Sequence, residues 1–299
     1  MKALHTVSSK KRVLFIVNPR SGTRSKTGIQ ELIRANVPAE YFDYQIEFTK
    51  AGGHAIELSA KAAAEGIEYV VAVGGDGTMN EVAQSLLYTS STLGIIPMGS
   101  GNGLARDLNI PLAAMSALRL LVEGKKICID SCTLNDRPFF CTAGVGFDAH
   151  IGQCFSMQKK RGFQTYVQTT LWEYANYQPE TYRLQIDGKW IEKKAFLISF
   201  ANAAQYGNNA YIAPKASMQD GLIDVCLLRP FPAVQAINMG VKLFNRTIDG
   251  SAYMHIWRAP SVRVERKAPA PVHIDGEPCL MEETLTVKVR PNSLNVLVP

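Results

Sequence analysis

Three short apolar runs in the first third of the chain break directly into turns of small residues, and this pattern limits the fold more than any other feature. Arg12–Asn18 (RVLFIVN) enters Asn18-Pro19-Arg20-Ser21-Gly22-Thr23. Tyr69–Val73 enters Gly74-Gly75-Asp76-Gly77-Thr78-Met79-Asn80-Glu81, and Thr92–Pro97 enters Gly99-Ser100-Gly101-Asn102-Gly103. Runs this short have strand length. Tyr44–Thr49 reads as a further strand, while Gly28–Asn36, His54–Glu65, Thr78–Leu87 and Ala113–Glu123 read as helices. Strands alternating with helices imply a parallel α/β sheet. In such a sheet, ligands bind at the carboxyl ends of the strands, where these turns stand.

The pattern changes near Ile127. Ile127–Leu134, Arg137–Ala143, Arg183–Ile186, Lys189–Phe200, Leu222–Leu228, Ser261–Arg266, Val272–Ile274, Leu285–Val289 and Asn295–Val298 are strand-like. Asp187-Gly188 is a hairpin signal. Lys159–Tyr177 and Pro232–Phe244 read as helices among these strands. The expected fold class is an α/β domain over residues 1–130, followed by an antiparallel β-sandwich domain over residues 131–299. The last strand can return to the first domain.

The turns suit phosphate. Small residues leave backbone N–H groups free to face phosphate oxygens, and the following helix adds its positive end. Thr78 reads as the cap of its helix, and the glycines permit close approach and unusual dihedrals. Asp76 is the informative residue. A carboxylate among phosphate-binding amides is repulsive unless a cation sits between them, so it implies Mg²⁺. Arg106 either balances phosphate charge or pairs with Asp107 or Asp130. Neither Gly-x4-Gly-Lys-Ser/Thr nor Gly-x-Gly-x-x-Gly occurs, so neither a P-loop nor an ordinary dinucleotide fold is indicated.

Charge and cysteine usage narrow the classes further. The net charge is +6. Lys2, Lys10, Lys11, Arg12, Arg20, Arg24 and Lys26 stand in the first 30 residues with no acidic side chain among them, so the rest of the chain is close to neutral. Anionic partners fit this start, but nothing pairs it with a nucleic-acid reading module. Cys128, Cys132, Cys141, Cys154, Cys226 and Cys279 are scattered without a Cys-x-x-Cys pair, which favours free thiols over a zinc site. No run approaches the ~18 apolar residues that span a bilayer. A cytoplasmic protein is expected.

Asn18-Pro-x-Ser-Gly, Gly74-Gly-Asp-Gly-Thr-x-Asn-Glu and Gly99-Ser-Gly-Asn-x-Leu-Ala, in this order, resemble the diacylglycerol kinase catalytic-domain family. This family groups bacterial lipid kinases, sphingosine kinases and ceramide kinases. Gly144-Val-Gly-Phe-Asp148, Asp220-Gly221-Leu222 and Asp275-Gly276-Glu277 are similar to its second-domain motifs, so the resemblance spans roughly residues 10–299.

The resemblance implies an α/β nucleotide-binding domain of the NAD-kinase type, a β-sandwich, ATP in the cleft between them, and Mg²⁺. It gives Asn18, Pro19, Arg20, Ser21, Gly22, Thr49, Gly74, Gly75, Asp76, Gly77, Thr78, Met79, Asn80 and Ser100 as nucleotide contacts. Asp76 matches the carboxylate that works through Mg²⁺ and water, and Asp130 a second carboxylate of that network. Glu277 matches the proton acceptor, although Asp-Gly-Glu is also a good hairpin turn. Ser217, Asp220 and Leu222 match a structural Mg²⁺ loop.

Two features depart from the family pattern. Gly103 stands where many bacterial diacylglycerol kinases carry Asp, and Ser217-Met218-Gln219-Asp220 is less acidic than is usual. The implied activity is ATP-dependent phosphorylation of a lipid hydroxyl, on diacylglycerol or a sphingoid base. NAD kinase is the alternative enzyme, and a non-catalytic nucleotide-binding regulator at the membrane is the alternative class. Expected partners are a lipid substrate, transient contact with a membrane surface and a second copy in a homodimer, with no nucleic acid. Lys159-Lys160-Arg161 opens the aromatic-rich helix to Tyr177, which suits an interfacial helix or simply packs on the β domain.

Overall fold

The structure, a computed structural model, describes residues 10–20, 28–156, 170, 172–174 and 176–299. Ser21, Gly22, Arg24 and Lys26 of the first turn, and most of the Lys159–Tyr177 helix, lie outside the described residues. The chain divides into two units. One comprises residues 1–99, 109–127 and 294–299; the other comprises 100–108 and 128–293.

The first unit is built on a parallel sheet of β1 (Lys11–Val17), β2 (Phe42–Phe48), β3 (Tyr69–Gly74) and β4 (Thr92–Pro97), in the order β2-β1-β3-β4. The end of the last strand, β16 (Thr284–Val298), runs parallel to β4 through Asn295 and Val296. β3 and β4 are buried along their whole length. That is why they read as unbroken apolar runs: a parallel sheet is covered on both faces. β2, at the edge, alternates buried and open positions. Among the covering helices, α2 (His54–Ala64) packs with α3 (Asp76–Ser85), and α1 (Ile29–Asn36) with α5 (Ala114–Glu123). α5 is amphipathic and turns Ala117, Leu118, Leu120 and Leu121 inward.

The second unit is a β-sandwich. Its wholly antiparallel sheet has the order β12 (Met254–Ala259), β11 (Ile223–Leu228), β10 (Leu197–Ala201), β7 (Thr142–Gly146), β14 (Ala270–Ile274), β15 (Glu277–Met281). The start of β16, β13 (Ser261–Glu265), β8 (Glu180–Ile186) and β9 (Lys189–Ala195) form an antiparallel run in the facing sheet. β5 (Lys125–Leu134) joins that sheet against β16 and pairs with β6 (Arg137–Phe139). Side chains from both sheets, among them Phe139, Val145, Leu184, Phe200, Val225 and Leu285, share one apolar core. A second core lies against α6 (Phe147–Ser156) and α7 (Ala236–Phe244). The short α4 (Gly103–Asp107) also belongs to this unit. Asp187 and Gly188 take positive φ of 50° and 75° and close the β8–β9 hairpin, as their sequence indicates.

Several strand boundaries differ from the sequence reading. Lys189–Phe200 is two strands in different sheets. The break falls at Phe196, whose N–H bonds Leu228 O at 2.7 Å. Arg137–Ala143 divides into β6 and β7, whereas Leu285–Val289 and Asn295–Val298 are parts of one strand. β12 and β15 have mixed polar and apolar positions, so neither shows as an apolar run.

Candidate active site

The chain leaves β1 for β2 on one side and returns to β3 on the other, so the order of the parallel sheet reverses between β1 and β3. In open α/β sheets this switch point is where ligands bind. The turns after these two strands are the Asn18 turn and the Gly74 turn, and they are tied together. Asn18 N–H bonds Val73 O at 3.1 Å, and Asn18 Nδ2 donates to Thr78 Oγ1 at 3.1 Å. Asn18 Oδ1 accepts from Arg20 N–H at 2.9 Å, while Pro19 and Arg20 are exposed. Thr49, at the end of β2, is buried and bonds Val17 O through its N–H at 2.9 Å.

Thr78 does not cap α3. The helix starts at Asp76 and its N-cap is the extended Gly75, with no side-chain cap. The Thr78 hydroxyl is used by Asn18 instead. Gly74 and Gly75 are not in the left-handed region, so unusual dihedrals do not explain them. Close approach explains Gly74: a Cβ there would stand 2.5 Å from the Thr78 side chain. Asp76, Gly77 and Asn80 are half-buried and Met79 is buried. Glu81 has a role that the sequence reading missed. Its two carboxylate oxygens accept the N–H groups of Gly53 and Ala55, at 2.9 and 3.3 Å, and so hold the start of α2.

In the second unit, Ser100 is exposed and Asn102 takes φ 51° ahead of α4. Arg106 Nε donates to Gly101 O at 2.9 Å, bracing its own turn. Asp107 accepts Ala204 N–H at 3.0 Å, and its carboxyl is pushed up to about 6 because burial outweighs that bond and the Arg246 charge. Asp130 is buried. One of its oxygens accepts from Gly221 N–H and the other from Asn292 N–H, both at 2.8 Å.

Glu277 is the first residue of β15 and is exposed. Asp275 and Gly276, with φ of 47° and 83°, form the turn before it. The hairpin reading of Asp-Gly-Glu is therefore correct as local structure. The turn is anchored by its own first residue. The Asp275 carboxylate accepts the N–H groups of Phe140, Cys141 and Thr142 at 2.9, 2.8 and 3.1 Å. Nearby in sequence, His273 Nε2 lies 3.1 Å from Asp148 Oδ2, which also accepts the Tyr206 hydroxyl at 3.2 Å. Gly144 makes room for this group, since a Cβ there would stand 2.5 Å from the Asp148 carboxylate.

The loop matched to a structural metal is occupied by its own contacts. Ser217 Oγ accepts Gln219 N–H at 3.3 Å, and Asp220 Oδ1 accepts Leu222 N–H at 3.0 Å. Asp220 Oδ2 pairs with Arg258, which also faces the buried Asp224 at 3.6 Å. The only carboxylate of the triplet thus already meets a guanidinium. With backbone carbonyls at two of the three positions the donors are all oxygens, which a hard divalent ion takes, and such an ion would share Asp220 with Arg258.

Comparison with known proteins places these features in context. A family model described as "Diacylglycerol kinase catalytic domain" matches residues 12–134, and one described as "YegS C-terminal NAD kinase beta sandwich-like domain" matches residues 141–298. The "Probable lipid kinase YegS-like" of Chromohalobacter salexigens is 30% identical, over 85% of this chain and 83% of its own. That of Pseudomonas aeruginosa strain UCBPP-PA14 is also 30% identical, over 97% and 95%. A solved structure described as a diacylglycerol kinase from Bacillus anthracis Sterne shares the fold, with a TM-score of 0.74 at 21% identity over 98% of each chain. A second Bacillus anthracis structure has a TM-score of 0.80 at 24% identity over 98% of each chain.

Proposed function

Because the chain belongs to the diacylglycerol kinase catalytic-domain family with a YegS-type C-terminal sandwich, and is a kinase of the lipid-kinase kind, we propose that it moves the terminal phosphoryl group of ATP to the hydroxyl of a membrane lipid, diacylglycerol or a sphingoid base. One observation carries the reading. Asn18 and Thr78 join the turns after β1 and β3 at the switch point of the sheet, beside the start of α3. Amides in the first turn of a helix have no intrahelical partner, and this helix has no side-chain cap. Its positive end favours a polyphosphate.

Phosphoryl transfer needs positioning and charge neutralisation more than covalent help. Asp76, half-buried at the head of α3, fits the role of holding Mg²⁺. When bound, Mg²⁺ neutralises phosphate charge that would repel this carboxylate. The exposed Glu277, fixed in place through Asp275, accepts the proton of the substrate hydroxyl. Asp130, with both oxygens on backbone amides, serves as a positioning residue for the loop at Gly221. Ser217, Asp220 and Leu222 would hold a structural divalent ion through oxygen donors, with Arg258 competing for the Asp220 carboxylate.

A substrate dissolved in a bilayer requires contact with a membrane surface. Among the described residues, no helix is long and apolar enough to cross a membrane. The surface that suits shallow contact is α7 with the turn before it. Val234, Ile237, Val241 and Phe244 are 82, 79, 51 and 43% exposed at helical spacing. Residues 229–247 carry Arg229, Lys242 and Arg246 and no acidic side chain. An exposed apolar stripe beside cations matches an anionic lipid surface.

The test is release of ADP from ATP. Vesicles that contain diacylglycerol or a sphingoid base should stimulate it, and vesicles without them should not. Stimulation by NAD instead would replace the reading with NAD kinase.

A further inference from the structure

Apart from the nucleotide chemistry, three donor atoms of different kinds converge on one point of the second unit. His150 and Cys154 are four residues apart on α6, which places both side chains on one face. Glu173 comes from a segment about twenty residues further on. His150 Nε2 lies 2.8 Å from Glu173 Oε2 and 3.7 Å from Cys154 Sγ, and all three donor atoms lie within 4.8 Å of one another.

A simple ion pair between His150 and Glu173 accounts for two of these groups and not for the third. Nε2 has one in-plane position. If it donates to the carboxylate, it cannot also accept from the thiol. A cation between the three atoms removes this competition. With metal bonds of about 2.0–2.3 Å, ligand atoms around one tetrahedral ion stand roughly 3.2–3.6 Å apart. The thiol–imidazole separation is close to that spacing, and the imidazole–carboxylate pair needs to open by about half an ångström.

We propose that His150, Cys154 and Glu173 bind a borderline-soft divalent metal ion of the Zn²⁺ type, with a fourth position left to water. The nitrogen, sulfur and oxygen donors select such an ion against Mg²⁺, which prefers oxygen alone. The site is open to solvent: His150 and Glu173 are 35 and 25% exposed. It is also largely preformed. Phe147 at the start of α6 packs against Tyr174 and Tyr177, with ring centroids 6.2 and 5.2 Å apart, and Tyr174 packs on Phe196 at 5.4 Å. These contacts hold α6 and the Glu173 segment together without the ion. Binding converts the Cys154 thiol to thiolate and gives its proton to solvent. The ion then ties α6 to the Glu173 segment.

Titration of the purified, chelator-treated full chain with Zn²⁺ and Co²⁺ tests this. One equivalent should bind, and Co²⁺ should give a near-ultraviolet thiolate charge-transfer band. Cys154→Ser should abolish the band, and His150→Ala should weaken binding more than about tenfold. Circular dichroism checks that each variant is folded, and Glu173→Gln gives a milder second variant that should also weaken binding. A band that persists in Cys154→Ser would assign the metal to another cysteine and overturn the proposal. Equal affinity in wild type and His150→Ala would overturn it as well. The readout does not depend on kinase activity, so it stands apart from the proposed reaction.

Discussion

Glu277 and Asp76 carry the chemistry in this account, and each has its own signature. Glu277→Gln removes a proton acceptor without touching the Asn18 and Gly74 turns. It should lower kcat by about 10²- to 10⁴-fold while ATP binding, read by a fluorescent analogue, stays unchanged. Asp76→Asn should lower the rate and blunt its dependence on Mg²⁺ concentration, measured in steady-state titrations.

A third residue acts on stability. The Asp107 carboxyl is pushed up to about 6, chiefly by burial. The folded chain therefore holds its proton where the unfolded chain has lost it. Asp107 contributes stability that is full below the ordinary carboxylate range and is lost as pH rises through about 6. Asp107→Asn keeps an acceptor for Ala204 N–H and removes the titration. Urea midpoints between pH 4 and 7 should fall less steeply in this variant than in the wild type.

The β14–β15 hairpin shows how an element positions a residue. Asp275 bonds three backbone N–H groups and so fixes where β15 begins, and with it Glu277. Asp275→Ala should cost about 2–3 kcal/mol, since hydrogen bonds to a charged group count for more than neutral ones. It should also reduce kcat, although Asp275 has no part in the proton transfer. Asp275→Asn should recover much of both in denaturant melts and turnover assays.

Elements were legible in the sequence where burial made them uniform. β3 and β4 are covered on both faces and appear as plain apolar runs. β12 and β15 have mixed exposure and do not. Thr78 looked like a cap because Thr ahead of a helix usually is one. Only the tertiary bond from Asn18 shows where its hydroxyl goes. The backbone contacts of Glu81, Asp130 and Asp275 join residues from 26 to 162 positions apart, and no local pattern in the sequence encodes them.

For the whole molecule, the proposed site residues fall in both units. The Asn18 and Gly74 turns belong to the first, and Asp130 and Glu277 to the second. The excess positive charge of the sequence falls in the first 30 residues; Lys11 and Arg12, at the start of β1, face Glu68 and Glu65, and Arg20 alone among the described cations of this stretch stands in the Asn18 turn. The proposed membrane contact is at α7. Ile237→Glu with Val241→Glu alters exposed positions only, so the fold should hold. Sedimentation with anionic vesicles should fall several-fold, and activity on a dispersed short-chain lipid should remain. Unchanged sedimentation would move the contact elsewhere on the surface.

The central claim concerns the acceptor of the phosphoryl group. Its most direct measurement is mass spectrometry of a reaction with isotope-labelled ATP, Mg²⁺ and a mixture of diacylglycerol, sphingoid base, ceramide and NAD, run with wild type and Glu277→Gln. The account predicts labelled phosphate on a lipid hydroxyl with wild type and almost none with the variant. Label on NAD alone, or on no acceptor at all, would contradict it.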